Sequence, residues 1–104
     1  MIAILWTYRI DQGWAALFEA IYGPDGDWAQ LFRQAEGYCG TELLRQGDGL
    51  YATIDRWESA ADFERFRQRF AEEYQRLDAR CEALTESEEF IGSFGVYEAA
   101  EAGG

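Results

Sequence analysis

The acidic residue that most invites a chemical role is Asp55. It alternates with Tyr51, Thr53 and Trp57 in the stretch "LYATIDRW". An ionised carboxylate on a mostly apolar strand face is costly unless paired. Asp55 therefore either meets an arginine, lies at the rim of an interface, or is a base whose pKa is raised by its surroundings. Tyr8, in "IAILWTYRI", is a second group able to handle a proton. The side chains able to hold an apolar molecule beside them are Trp6, Tyr22, Trp28, Phe32, Phe66 and Phe70. Omission narrows the chemistry further, since the chain has no His, no Lys and no Asn. Without His the common general base and the commonest metal ligand are missing. Without Lys there is no Schiff base. No metal site and no cofactor are expected from these residues.

Cys39 and Cys81 are far apart, fit no metal spacing and lie on apolar-periodic positions, which predicts two buried reduced thiols. The net charge of −11, with all nine basic residues Arg, offers no basic stripe for phosphates, so neither nucleic acid nor an anionic membrane surface is an expected partner. The opening "MIAILWTYRI" is too short and too aromatic for a signal peptide, and no apolar run approaches membrane-spanning length. A cytoplasmic location is expected. Seven Phe, six Tyr and four Trp in 104 residues need somewhere dry to go.

Periodicity assigns these groups to strands and helices. Residues 2–10 read as a strand, apolar on both faces. Asp11 caps a helix to about Tyr22 that carries Trp14, Leu17, Phe18 and Ile21 inward. Gly23-Pro24-Asp25-Gly26 stops it. A second short helix starts at an Asp27 cap, with Gln30 completing a capping box and Trp28, Leu31, Phe32 and Ala35 on one stripe. The break predicts a chain that bulges outward, its two halves walling a cavity with Tyr22 and Trp28 at the mouth and Phe32 deeper; ordinary core and a turn are the simpler alternative. Residues 39–46 and 50–57 form a hairpin through "GDG". Ser59 opens one long amphipathic helix carrying Phe63, Phe66, Phe70, Tyr74, Leu77, Cys81 and Leu84, with Arg69–Glu73 and Glu72–Arg76 as solvated pairs. "TESEE" reads as a link, residues 90–98 as a last strand weakened by two glycines, and 99–104 as a flexible C-terminal tail.

The order is β-α-β-β-α-β, a single ferredoxin-like α+β domain over 1–98 with a four-stranded antiparallel sheet. Two helical layers cover one sheet face only. Apolar residues on both faces of strands 1 and 3 predict that a second copy covers the other, giving a homodimer closed through the sheet face.

The stretch "YATIDRWESAADFERFRQRF" resembles the antibiotic biosynthesis monooxygenase family, in which a strand ends in an acidic residue, any residue, then Trp, and runs into a helix opened by Ser. Here these are Asp55, Trp57 and Ser59. The resemblance implies a dimeric α+β barrel with a ligand cavity between each sheet and its own helices, in a family that includes cofactor-free oxygenases of aromatic polyketides and haem-degrading enzymes. Two positions depart from the pattern. Where members often carry a His nine residues after the Trp, this chain has Phe66; the pocket Asn of the haem-degrading branch falls near Tyr8, and the axial His has no counterpart. Haem degradation by that route is not expected. A cofactor-free oxygenase needs only a dry site that stabilises its deprotonated substrate, and Tyr8, Arg9, Asp55 and Arg56 are the polar groups expected near it.

Three readings are open. One is a cofactor-independent monooxygenase acting on a small hydrophobic aromatic or polyketide-like molecule. Another is a non-catalytic, small-ligand-binding or accessory barrel. The last is a dimer whose cavity is filled by its own side chains.

Overall fold

The computed structural model describes residues 1–97. Eight elements succeed one another: β1 (Ile2–Arg9), α1 (Ala15–Tyr22), α2 (Asp27–Phe32), β2 (Tyr38–Gln46), β3 (Leu50–Trp57), α3 (Ala60–Arg69), α4 (Ala71–Cys81) and β4 (Ser87–Gly95). The strands form one antiparallel sheet in the order β2-β3-β1-β4. This is the ferredoxin-like β-α-β-β-α-β arrangement, with each helical segment counted as one layer element. The expected tail, 99–104, and the end of the expected last strand at 98 lie outside the described residues. No helix among the described residues is long and apolar enough to cross a membrane.

All helices lie on one sheet face. That face carries Ile4, Trp6 and Tyr8 from β1 and Tyr51, Thr53, Asp55 and Trp57 from β3, in direct register as Ile4↔Asp55, Trp6↔Thr53 and Tyr8↔Tyr51. The core is built on it: Trp57, Phe18 and Phe66 are essentially inaccessible. The opposite face carries Leu5, Thr7, Ala52 and Ile54, with Leu44 and Phe94 still 47% and 48% exposed.

Four local features differ from the periodic reading. The first helical segment begins as a 3-10 turn over Gln12–Trp14, with the Asp11 carboxylate accepting from the Gly13 N–H at 2.8 Å. Three residues per turn instead of 3.6 rotates the α1 side chains about the helix axis. Phe18 and Tyr22 are therefore buried, while Trp14 and Leu17 stay 47% and 45% exposed. The second difference is at α2, where Gly26 is the N-cap and Asp27 sits in the first turn. Gln30 does not complete a capping box; its amide donates to the Asp25 carbonyl at 2.9 Å.

The third is the long helix, which divides at Phe70 (φ −108°, ψ 26°). The Phe70 N–H still reaches the Phe66 carbonyl and the Tyr74 N–H the Phe70 carbonyl, so two helical bonds bracket the kink. Neither expected pair forms: Arg69 and Glu73 lie on either side of the kink, and within α4 Arg76 meets Glu73 at 3.5 Å rather than Glu72. Ser59 caps α3 as expected, its Oγ accepting from the Asp62 N–H at 3.1 Å.

The fourth is β4, which starts three residues earlier than expected. Ser87, Glu88 and Glu89 extend the ladder against Arg9, Tyr8 and Thr7. Acidic residues suit an edge strand, whose outer side faces water. A bulge at Ile91 shifts the register between Leu5↔Gly92 and Trp6↔Phe90. Phe90 and Phe94, four residues apart, consequently face opposite sides of the sheet: Phe90 pairs with Trp6 on the helical side and Phe94 with Ala3 on the other. A second bulge lies at Cys39, between Tyr38↔Trp57 and Gly40↔Arg56. It turns Cys39 outward, so that only Cys81 of the two free thiols is buried.

Candidate functional site

Between the sheet and the helices lies a small, open-mouthed cavity of about 60 Å³. Its existence begins with the interrupted helix. The α1–α2 turn is fixed by three contacts: Arg33 donates to the Pro24 carbonyl at 2.7 Å and to Asp25 Oδ1 at 2.9 Å, and Gln30 holds the Asp25 carbonyl. Gly26 is obligatory for the same turn, because a Cβ there would collide with the Ile21 carbonyl oxygen. Turned in this way, α1 brings Tyr22, and α2 brings Trp28 and Phe32, to the cavity wall. Tyr22 and Trp28 are buried rather than at the mouth. The exposed lining residues are Asp78 of α4 and Glu88 of β4, which form the rim.

Six residues singled out from sequence meet in this one cavity: Trp6, Tyr8, Tyr22, Trp28, Phe32 and Asp55. Phe66 and Phe70 do not. Phe66 points into the core, with its ring 5.2 Å from Phe32 and 5.3 Å from Trp57. Phe70, at the kink, lines a separate groove on the far side of α3. Arg9 and Arg56, also expected near the site, project from the opposite sheet face by strand alternation, and Arg56 pairs there with Glu42.

Thr41, Thr53, Tyr74, Asp78 and Glu88 complete the lining. Thr53 and Tyr74 shared a strand face and a helix stripe with chosen residues, which was the available signal. Glu88 gave none, because "TESEE" reads as loop.

The polar groups are organised in two sets. Thr41 stands directly across from Asp55 and donates to its Oδ1 at 2.6 Å. The Thr41 hydroxyl has one proton, spent on Asp55, so the Tyr38 hydroxyl 2.6 Å away donates to Thr41. Burial raises the Asp55 pKa from the ordinary range to about 6, against the opposing pull of the Thr41 hydrogen bond. Among the described residues no arginine pairs with Asp55. In the second set, the Tyr8 hydroxyl is 3.1 Å from Thr53 Oγ1. Burial pushes the Tyr8 phenol well above its usual range, as it does Tyr22. Both phenols stay protonated at neutral pH and act as hydrogen-bonding groups. Asp55 is the group in the interior of the cavity able to accept a proton near neutrality. The described residues hold no cluster with metal-ligand geometry.

Comparison with known proteins agrees with this architecture. The family model described as antibiotic biosynthesis monooxygenase matches residues 1–90. Among curated proteins no sequence matches the chain. Among solved structures, a point-mutant form of SnoaB, a cofactor-independent oxygenase from Streptomyces nogalater, superposes with a TM-score of 0.76 at 19% identity, covering 97% of each chain. A putative antibiotic biosynthesis monooxygenase from Deinococcus radiodurans gives 0.68 at 18% identity over 98% of each chain. A protein of unknown function from Nitrosomonas europaea gives 0.65 at 18% identity, over 99% of this chain and 95% of its own. At these identities the likeness is one of fold.

Proposed function

The chain belongs to the antibiotic biosynthesis monooxygenase family, and from that premise we propose that it is a cofactor-independent monooxygenase acting on a small hydrophobic aromatic or polyketide-like molecule. The observation that supports this reading is Asp55: a carboxylate poised near neutrality, hydrogen-bonded on one oxygen, in an aromatic-walled cavity. Trp6, Tyr22, Trp28 and Phe32 would hold the flat substrate, and Tyr8 with Thr53 would orient a substrate oxygen. Asp55 would take the proton of an activated ring CH₂ or phenol. The electron-rich anion would then reduce O₂ directly. One oxygen atom stays as a new carbonyl and the other leaves as water, so that a CH₂ plus O₂ gives a C=O plus H₂O. The dry wall keeps the anion from reprotonation by bulk water.

The same reading takes the working unit as a homodimer, with the face of Leu5, Ile54, Leu44 and Phe94 against its copy. An uncovered apolar face of this extent favours a partner. Oxygen uptake with anthrone-like and quinol substrates tests the proposal. Uptake that falls to background in Asp55→Asn supports it. Saturable binding with no uptake leaves the non-catalytic ligand-binding barrel as the function.

A further inference from the structure

The charge lining the cavity is of one sign. Asp55 inside and Asp78 and Glu88 at the rim are its ionisable acids, and no arginine lines it. Elsewhere the chain pairs its carboxylates readily, for example Asp25 with Arg33, Asp27 with Arg80 and Asp62 with Arg65. Among the described residues none of the three cavity carboxylates has such a partner. Asp78 and Glu88 come from different elements, α4 and β4, yet line one rim; burial raises the Glu88 pKa, and the neighbouring Asp78 charge raises it further. The Tyr74 ring lines the cavity with them and meets Trp28 edge-on at 5.0 Å. Arg67 lies over the Tyr74 ring at 5.5 Å but outside the lining.

We infer that the molecule this cavity takes carries a cationic head group, a protonated amine, on its aromatic body, with the ammonium at the rim between Asp78 and Glu88 beside the Tyr74 ring. Carboxylates supply attraction and hydrogen-bond acceptors for an ammonium, and an aromatic face adds a further attraction. The chain's charge of −11 draws cations toward the mouth. A carboxylate, sulfate or phosphate on the same body would face acids on three elements with no compensating cation. This selectivity rests on the reading of the cavity as a ligand site.

Matched ligands separate the two ideas. Calorimetric titration of the full chain near neutral pH with naphthylmethylamine, naphthylmethanol and naphthoate holds the aromatic body constant and varies the head. The amine is expected to bind about tenfold or more tighter than the alcohol, with naphthoate weakest. In the Asp78→Asn, Glu88→Gln double variant the amine's advantage should shrink to about twofold or less. A Glu64→Gln, Glu72→Gln control makes the same change in net charge on exposed helix positions away from the cavity, and should keep the advantage. Alcohol or acid binding as tightly as amine overturns the inference and leaves the site standing. So does an advantage that survives the rim variant or vanishes equally in the control. No binding by any of the three overturns the ligand site itself.

Discussion

Thr41 and Asp55 face each other across the β2–β3 ladder, and the threonine hydroxyl gives its one proton to the aspartate 2.6 Å away. The bond stabilises the ionised carboxylate, while burial favours the neutral one. Burial wins, and the pKa rests at about 6. If Asp55 is the base, activity climbs with pH through about 6. Removing the hydroxyl in Thr41→Val leaves burial unopposed and moves that limb to higher pH; Asp55→Asn abolishes it. A pH–rate profile of oxygen uptake measures both shifts.

The same group makes a stability prediction of definite sign. A carboxyl whose folded pKa is raised binds its proton more tightly when folded. Its contribution is fully present below the unfolded value near 4 and lost as pH rises through about 6. Asp55→Asn should therefore stabilise the fold above pH about 6, by of order 1–3 kcal/mol. The difference should fade towards pH about 4. Thermal melts of both proteins across that range show the trend or its absence.

Phe66 and Trp28 should separate stability from binding. Phe66 is sealed between Phe32 and Trp57, so Phe66→Ala should cost about 3–5 kcal/mol and leave the naphthylmethanol affinity of the folded fraction unchanged. Trp28→Ala opens the cavity wall and should weaken that affinity about tenfold. Denaturant melts and titrations on both variants read the two effects.

Gly26→Ala should destabilise by roughly 1–3 kcal/mol, since the new methyl must displace the C-terminal carbonyls of α1. The same variant should weaken ligand binding, because α1 and α2 carry Tyr22 and Trp28 on either side of that turn.

Solution size tests the second copy. The wild-type chain should sediment as a dimer at micromolar concentration, and Ile54→Glu, a charge in the centre of the helix-free face, should give a folded monomer.

How much of this was legible beforehand depended on the kind of signal. Strand alternation put Asp55 with Thr53 and Trp57, and Tyr8 with Trp6, on one face without ambiguity. The "GPDG" stop told where α1 ends, and Ser59 where α3 begins. Phase was harder. A 3-10 start at Gln12 turned Trp14 and Leu17 outward, and a kink at Phe70 broke one stripe into two; neither leaves a mark that helical spacing alone can read. Which sheet face meets the helices is a tertiary choice, as both are apolar, and it decided that Arg9 and Arg56 miss the cavity. Glu88 escaped notice because edge-strand pairing, rather than intrinsic preference, recruits it.

The supernumerary residue at Ile91 carries a consequence for evolution as much as for architecture. It lets one outer ribbon serve two tenants, offering Phe90 beside the ligand chamber and Phe94 to whatever presses on the far surface. Were Ile91 drawn into plain alternation opposite Leu5, everything downstream would re-phase and Phe94 would swing towards the chamber. A single-codon deletion of Ile91 would instead leave Phe90 opposite Trp6 and Phe94 opposite Ala3, so the ribbon can lose that residue while each surface keeps its own ring.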